Sequence, residues 1–486
     1  MPSFGTVRVA VCCLAAILLA TPALCLAQTS ENAGAENTRV TLELASRAAH
    51  EHLVCYNQSD TYIWGQVRLM SDPADGSILY YWFELKPSGY IIVSASSVLP
   101  PVIAYSFTDT NESDGDATNP LADLLLSDLR SRLDHLDAAP AAVMAQRRAA
   151  WARLAAEDSD NTPGVETDGP DKGPDRFEQW PPPGSTTTGG WVETRWNQNS
   201  PYNQACPIDP VTGTRSYAGC PAVAMAQILH YHQRLNATTF SDADDYHHVY
   251  SGRNFWIDDD YAAHSFLSFP AINTQFDTIF GKYFHGTDLN NANRAALIFA
   301  CGVAARQVYA STGSGTFGVS QAMDAYMKFG CDTAELLYQE SPGPYERLMQ
   351  NMIDGYPAHL AIVNTTWTSG HNLVVDGYNT DGYYHLNFGW GGSYDGWYLL
   401  PSELPYSLTV VEGIIVDILI DPCRSMDCNG DGFVDATDFA YLQECLSGPA
   451  IGWESPGCTA FDADSDEDSD LADYAAFQRA FGDSGT

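Results

Sequence analysis

Gly219-Cys220-Pro221-Ala222-Val223-Ala224-Met225-Ala226-Gln227-Ile228-Leu229-His230-Tyr231-His232 reads as a helix that opens on a cysteine. Val223, Ala226/Gln227 and Tyr231 form one line at helical spacing; Met225, Ile228/Leu229 and His232 form a second, so most of the circumference is covered. Proline is tolerated in the first turn, where its missing N–H would have no partner, and this sets Cys220 at the helix mouth. Unpaired amides and the positive end of the helix dipole there are expected to lower the thiol pKa. Two readings stay open on this stretch alone: a nucleophile, or a small buried thiol on a core helix or in a disulfide.

A nucleophilic thiol needs an imidazole to take its proton, and the imidazole needs a fixed tautomer. Among twelve histidines, His371 stands out in Ser369-Gly370-His371-Asn372, where a strand begins. Asn387, in Asn387-Phe388-Gly389-Trp390-Gly391-Gly392, offers an amide that could orient the ring. His385 shares the Asn387 strand face and is a weaker competitor for the base, while His230 and His232 run with the packing residues of their helix and read as structural.

Around this centre, residues 191–420 form the largest globular unit. Its first half is helical, with segments near 293–309 and 318–330. Its second half is strand-like, at 359–364, 372–378, 383–388, 397–400 and 412–420, with tight turns expected at Asp376-Gly377 and Asp381-Gly382. A helical half beside a sheet-rich half suggests a cleft. Upstream, residues 158–190 are Asp, Glu, Gly, Pro and Thr with almost no apolar side chains, and read as an exposed linker open to proteolysis. Before them come a helix opening near Leu42, a hairpin at 78–85 and 90–95 around Lys86-Pro87-Ser88-Gly89, a further strand at 102–107, and helical spacing over 120–157.

The 486 residues allow two or three domains, and the net charge of −38 disfavours nucleic acid and anionic lipid as partners. Residues 1–27 carry Arg8, an apolar run from Val9 to Ala20 and a cleavage pattern ending at Ala27, the plan of a secretory signal peptide. Pro22-Ala23-Leu24 argue against a lipoprotein anchor at Cys25, and no later segment is long and apolar enough to span a membrane. Removing the signal leaves nine of twelve cysteines, the number expected for one free reactive thiol and up to four bridges. The expected location is secreted or extracellular, with cell-surface association as a variant.

Four blocks carry a family resemblance: Arg195 to Pro207, the 219–232 helix, Gly370-His371-Asn372-Leu373-Val374-Val375-Asp376-Gly377-Tyr378, and Tyr384 to Tyr398. In this order they resemble the streptopain family of secreted papain-like cysteine endopeptidases. The resemblance implies an α+β fold: a two-lobed papain-like peptidase domain at 191–420, made as a zymogen with an α+β inhibitory pro-domain at 28–157 and a maturation site in 158–190. It makes Cys220 the nucleophile and His371 its base, Gln198 an oxyanion donor beside the Cys220 amide, Asn387 the residue orienting His371, and Trp390 a shield of the site. Protein or peptide substrates follow, with no cofactor in catalysis. Three departures stand out: Phe388 where Trp is usual, Pro221 where Val is usual, and Asn372 where Ala is usual. An exposed thiolate in an oxidising setting would need a reductant to restore it.

The acidic tail, 423–486, repeats a pattern. Asp427, Asn429, Asp431, Asp435 and Asp438 stand at positions 1, 3, 5, 9 and 12 of a calcium loop, with the Phe433 carbonyl at position 7 and a helix over 439–446. Asp462, Asp464, Asp466, Asp468, Asp470 and Asp473 repeat the spacing before a helix over 474–481, with Glu467 where glycine is wanted. The pair resembles a dockerin-type, all-α module of two calcium loops; Ca2+ would hold it folded, and the resemblance implies a cohesin-like partner. Cys445 with Cys458, and Cys423 with Cys428, are candidate staples. Two other functions compete: a papain-like scaffold without catalysis, which retention of Cys220, His371 and Asn387 argues against, and a Cys/His amidase acting on peptidoglycan.

Overall fold

The computed structural model describes residues 38–108, 120–134, 136, 139–156, 177–338, 340–363, 370–400, 411–418, 426–430, 433–453, 455–464 and 466–482. The expected signal peptide, the linker up to residue 176, Ser369, Cys423 and Asp431 lie outside the described residues. The described residues before 157 belong to one compact unit and those from 177 onward to another.

In the first unit, helix α1 (Leu42–Cys55) is capped by the Thr41 hydroxyl, which accepts from the Leu44 amide at 3.2 Å. Strands β1 (Ile63–Ser71), β2 (Ile78–Lys86), β3 (Tyr90–Ser94) and β4 (Val102–Ser106) pair antiparallel in that order. At the hairpin, Gly89 has φ +101°, and a Cβ there would lie 2.2 Å from the Ser106 carbonyl oxygen, so the turn admits glycine alone. Helices α2 (Pro120–Asp134) and α3 (Ala141–Ala156) complete the unit, and Trp151 Nε1 fastens α3 by donating to the Leu99 carbonyl at 2.8 Å. The 120–157 helical spacing is thus two helices, and β1, whose Ile63, Trp64 and Leu69 are exposed, has no alternation that would betray it.

The second unit begins earlier than its composition suggests. Strand β5 (Gln179–Trp180) pairs with Asn379 and Tyr378, so the last part of the expected linker is sheet. Helix α4 (Cys220–His232) is the quoted stretch, with every residue from Pro221 to Leu229 buried. A hairpin of β6 (Tyr246–Tyr250) and β7 (Arg253–Ile257) follows, then α5 (Tyr261–His264), α6 (Phe269–Phe284), α7 (Asn291–Ala304), α8 (Val319–Lys328), β8 (Glu335–Leu337) and α9 (Pro344–Asp354). Strands β9 (Ala358–Val363), β10 (Gly370–Asn379), β11 (Tyr383–Asn387), β12 (Gly396–Leu399) and β13 (Val411–Val416) build the sheet, in the antiparallel order β12-β11-β10-β9-β13-β8. The architecture is mixed α+β. Core side chains of α4, α7 and α8 pack with Ala361, Val374 and Ile415 of the sheet.

Asp376-Gly377 is no tight turn. It lies inside β10 at a bulge, where the register against β11 shifts between Val375 and Gly377. Asp381-Gly382 does turn the chain, with Gly382 at φ +87°.

Helices α10 (Ala436–Cys445) and α11 (Leu471–Ala480) each begin three residues before the expected start, because Asp435 and Asp470 are N-caps whose boxes are closed by Asp438 and Asp473. The tail is no detached domain: Phe284 of α6 belongs to its core with Met426, Leu442, Phe461 and Phe477, and the Phe280 ring meets Tyr441 at 5.1 Å. Cys445 and Cys458 form a disulfide. The expectation of up to four bridges is not met among the described residues, where Cys206, Cys301 and Cys331 are buried thiols in the core. Among those residues no helix is long and apolar enough to cross a membrane.

Candidate active site

Cys220 is the first residue of α4, and the chain reaches it through Gly219 at φ +88°. A Cβ on Gly219 would sit 2.4 Å from Gln307 Oε1, while Gln307 Nε2 donates to the Ala218 carbonyl at 2.7 Å. The helix mouth is therefore set by a glycine that no other residue could replace without moving Gln307. The Cys220 thiol is not lowered as its place at the helix start suggested: burial pushes it up, against hydrogen bonds from the backbone and side chain of Asn372 and from its own amide. Gln198 is brought to the same mouth, since its carbonyl accepts from the Ala218 amide at 2.9 Å. The Gln198 carboxamide has no hydrogen-bond partner among the described residues.

His371 sits near the start of β10, opposite Ile362 of β9, and is 6% exposed. Its Nε2 lies 2.7 Å from the Phe388 carbonyl, so Nε2 carries the proton and Nδ1 the lone pair. Burial holds its pKa down at about 4, against this hydrogen bond, which raises it. The Trp390 indole stacks on the ring at 4.4 Å between centroids and 28° between planes. Phe388 lies nearly parallel to the same ring at 6.0 Å. At the other end of the Phe388 residue, its amide donates to Asp395 Oδ1 at 2.8 Å. Asp395 thus fixes the backbone that holds the imidazole, a role that spacing alone does not reveal.

Asn387 was expected to orient His371, and its bonds go elsewhere. Its Oδ1 accepts from Gln227 Nε2 at 3.2 Å and from the Gly389 amide at 3.0 Å, and its Nδ2 donates to the Thr194 carbonyl at 2.8 Å. Gln227 Oε1 also accepts from Thr194 Oγ1 and the Trp196 amide, so Gln227, inside an apolar helix, braces the segment entering the unit against the end of β11. The alternative base, His385, is locked elsewhere, with Nδ1 2.6 Å from Asp376 Oδ1 in a fully buried pair. Burial opposes its charge, but the Asp376 carboxylate prevails and raises its pKa. His230 and His232 are held near pKa 4 by burial, and His230 Nδ1 bonds the Tyr283 hydroxyl at 3.0 Å.

In the tail, carboxylate oxygens of Asp462, Asp464 and Asp473 lie within 4.8 Å of one another, as do those of Asp468, Asp470 and Asp473. Asp468 Oδ1 is buried with no protein partner among the described residues. Hard, anionic oxygens gathered at this density fit a calcium ion. Glu467 takes φ +68°, the left-handed conformation its loop position demands of glycine. In the first loop the Asp438 carboxylate accepts from the amides of Cys428, Asn429 and Asp435, and burial raises its pKa. Asp427 is buried beside it, and the Phe433 side chain is exposed.

Comparison with known proteins gives two matching families: residues 196–398 match the Peptidase C10 family, and residues 36–133 match the Spi protease inhibitor family. Streptopain of Streptococcus pyogenes serotype M1 is 27% identical over 233 residues, 44% of this chain and 55% of the relative. The thiol protease/hemagglutinin PrtT of Porphyromonas gingivalis is 25% identical over 228 residues, 44% of this chain and 24% of the relative. The chain thus spans about half the length of the streptopains it matches. Among solved structures, a fragment of Prevotella intermedia prointerpain A aligns at 20% identity and a TM-score of 0.48, covering 74% of this chain and 99% of that one. Active interpain A of the same organism aligns at 22% identity and a TM-score of 0.36, covering 47% and 94%. Residues 196–398 are thus similar to the Peptidase C10 family and residues 36–133 to the Spi protease inhibitor family.

Proposed function

We propose that this chain is the zymogen of a secreted cysteine endopeptidase in which Cys220 is the nucleophile and His371 the general base. The observation that supports it most is the fixing of His371: a Nε2–H held by the Phe388 carbonyl leaves Nδ1 as the proton acceptor, on a strand whose Val374 packs in one core with the Cys220 helix. Because burial favours the neutral form of both partners, the thiol proton moves to Nδ1 as the sulfur attacks the peptide carbonyl. The imidazolium then gives that proton to the leaving amine. Water hydrolyses the thioester with His371 again as base, and the thiol is restored. The Cys220 amide and the unpartnered Gln198 carboxamide supply the oxyanion donors, and Trp390 keeps water from the ring.

The segment at 36–133 acts as the inhibitor, by its match to the Spi family, and is removed on maturation. The tail takes up calcium through Asp427, Asn429, Asp431, Phe433, Asp435 and Asp438, and through Asp462, Asp464, Asp466, Asp468, Asp470 and Asp473. The ion supplies charge compensation for folding and no catalysis. A cohesin-like protein is its proposed partner.

The test is expression of residues 28–486 as wild type and Cys220→Ala, incubated with calcium and a mild reductant. Self-cleavage followed by mass, and casein hydrolysis, should appear in the wild type alone. A folded, reduced and separately trimmed wild type that neither cleaves casein nor reacts with a thiol-directed peptide inhibitor would overturn the reading.

A further inference from the structure

Gln307 follows α7, and its side chain is wholly buried. Its backbone amide donates to the Gly302 carbonyl at 3.0 Å, and its own carbonyl accepts from the Tyr246 hydroxyl of β6 at 2.8 Å, so the main chain is held from both sides. The carboxamide fills a slot between two glycines. A Cβ on Gly219 would lie 2.4 Å from Oε1, and one on Gly302 of α7 would lie 2.5 Å from Nε2. Only residues without side chains leave that room on both walls.

At the end of the slot Nε2 donates to the Ala218 carbonyl at 2.7 Å. A carbonyl can only accept, so the nitrogen is the end that faces it, and Oε1 stays buried without a partner among the described residues. An unpaired buried acceptor costs stability, so the core gains nothing from a glutamine here; what the residue gives is a fixed Ala218. From Ala218 hang both proposed oxyanion donors. Its amide donates to the Gln198 carbonyl at 2.9 Å, which places Gln198, and its carbonyl belongs to the peptide that leads through Gly219 to the Cys220 amide.

We propose that Gln307 is a positioning residue for the oxyanion site: by pinning the Ala218 carbonyl it holds the Cys220 amide and Gln198 in place for the negative charge that grows on the attacked carbonyl oxygen. This rests on the reading of Cys220 as the nucleophile and Gln198 as a donor, and the test separates the two claims. Two reactions of one thiol divide on this point. Iodoacetamide alkylates Cys220 by displacing iodide and builds no charge on a carbonyl oxygen. A peptide aldehyde instead adds the thiol across its C=O, with the sulfur on carbon and the proton on oxygen, and leaves that oxygen where the oxyanion would sit.

Full-length wild type, Gln307→Met and Gly302→Ala, matured alike, are compared in both reactions. The first variant keeps the length without the donor; the second keeps the amide but pushes it off the Ala218 carbonyl. Alkylation of the Cys220 peptide is followed by mass spectrometry, alone and under protection by the tightest of a set of N-acetyl dipeptide aldehydes. The alkylation rate should hold, while the aldehyde concentration for half protection should rise about tenfold or more in both variants. A merely structural glutamine would move the two reactions together. Thermal melts establish folding, and if Gln307→Met fails to fold, Gly302→Ala decides. Unchanged half protection in a folded variant, or an equal loss in both reactions, overturns the proposal. A wild-type Cys220 that is neither alkylated nor protected would instead overturn the nucleophile assignment.

Discussion

The Phe388 carbonyl accepts from Nε2 of His371 at 2.7 Å, so this imidazole is oriented by backbone, and the Asn387 side chain one residue earlier is spent on Gln227, Gly389 and Thr194. These two routes separate experimentally. Asn387→Ala strips partners from Gln227 and the Gly389 amide and should cost about 1–3 kcal/mol of stability for the buried groups left unpaired. The His371 pKa, followed by the imidazole proton signals, should hold. A large shift in that pKa with unchanged melting would return the orienting role to Asn387.

Asp395 should behave in the opposite sense. Its carboxylate holds the Phe388 amide at 2.8 Å, so Asp395→Ala releases the segment that carries the His371 acceptor. A drop of about tenfold or more in kcat is expected, with KM little changed, since misplacing a base acts on the chemical step. Steady-state kinetics of the matured enzyme decide it, and a change confined to KM would contradict the role.

The His385–Asp376 pair gives a pH dependence with a definite sign. The folded-state pKa of His385 is raised above 6.5, so its stabilising contribution is complete below the unfolded value and is lost as pH rises through the folded one. The wild type should lose stability with rising pH above about 6.5, and Asp376→Asn should flatten that slope while lowering stability at acid pH. Denaturant midpoints across pH measure both. Parallel slopes in the two proteins would show that the pair is not linked to folding.

Maturation should cut between residues 157 and 176. Glu178 and Thr380 exchange hydrogen bonds, with the Thr380 amide donating to the Glu178 carbonyl at 3.0 Å. Beyond them, Trp180 pairs with Tyr378, and the Trp191 and Val192 amides donate to Asp376. Amino-terminal sequencing of the processed enzyme should find its first residue at or before 177. A first residue beyond Trp180, in a protein of unchanged stability, would count against β5 as part of the mature sheet.

Calcium should stabilise the tail and chelation should melt it. Binding to the folded form alone adds about 2.7 kcal/mol at a free concentration one hundred times Kd. Asp473→Ala removes the carboxylate common to both oxygen clusters of the second loop, and the capping-box partner of Asp470 as well. It should weaken the calcium response more than Asp466→Ala does. Calorimetry with calcium and with chelator tests this, and an identical tail transition in both would exclude the ion.

The parts legible in the sequence were those where one physical signal dominated. Helix α4 showed itself by apolar cover on every side and proline in its first turn, and β9 to β11 by short apolar runs. Helix α6 carries the same kind of signal, with Phe269, Ile272, Phe276, Ile279 and Tyr283 at helical spacing among polar residues. The orientation of His371 could not be read, because its acceptor is a main-chain carbonyl that any residue at 388 would provide. The hydrogen bonds that join Tyr326, His359 and Asn372 are hidden for another reason: these residues come from α8, β9 and β10, and only the fold brings them together.

Phe284 gives the tail a second meaning. It stands at the end of α6 yet is buried in the core of the tail, and Gly457 lies so close that a Cβ there would fall 2.3 Å from its ring. Melting the tail would strip cover from the aromatic end of α6, adding greasy surface where His285 and Glu444 now pair at 3.5 Å. Under the proposed calcium dependence, scarcity of the ion would be felt first as clumping of the chain, before any change around Cys220 and His371.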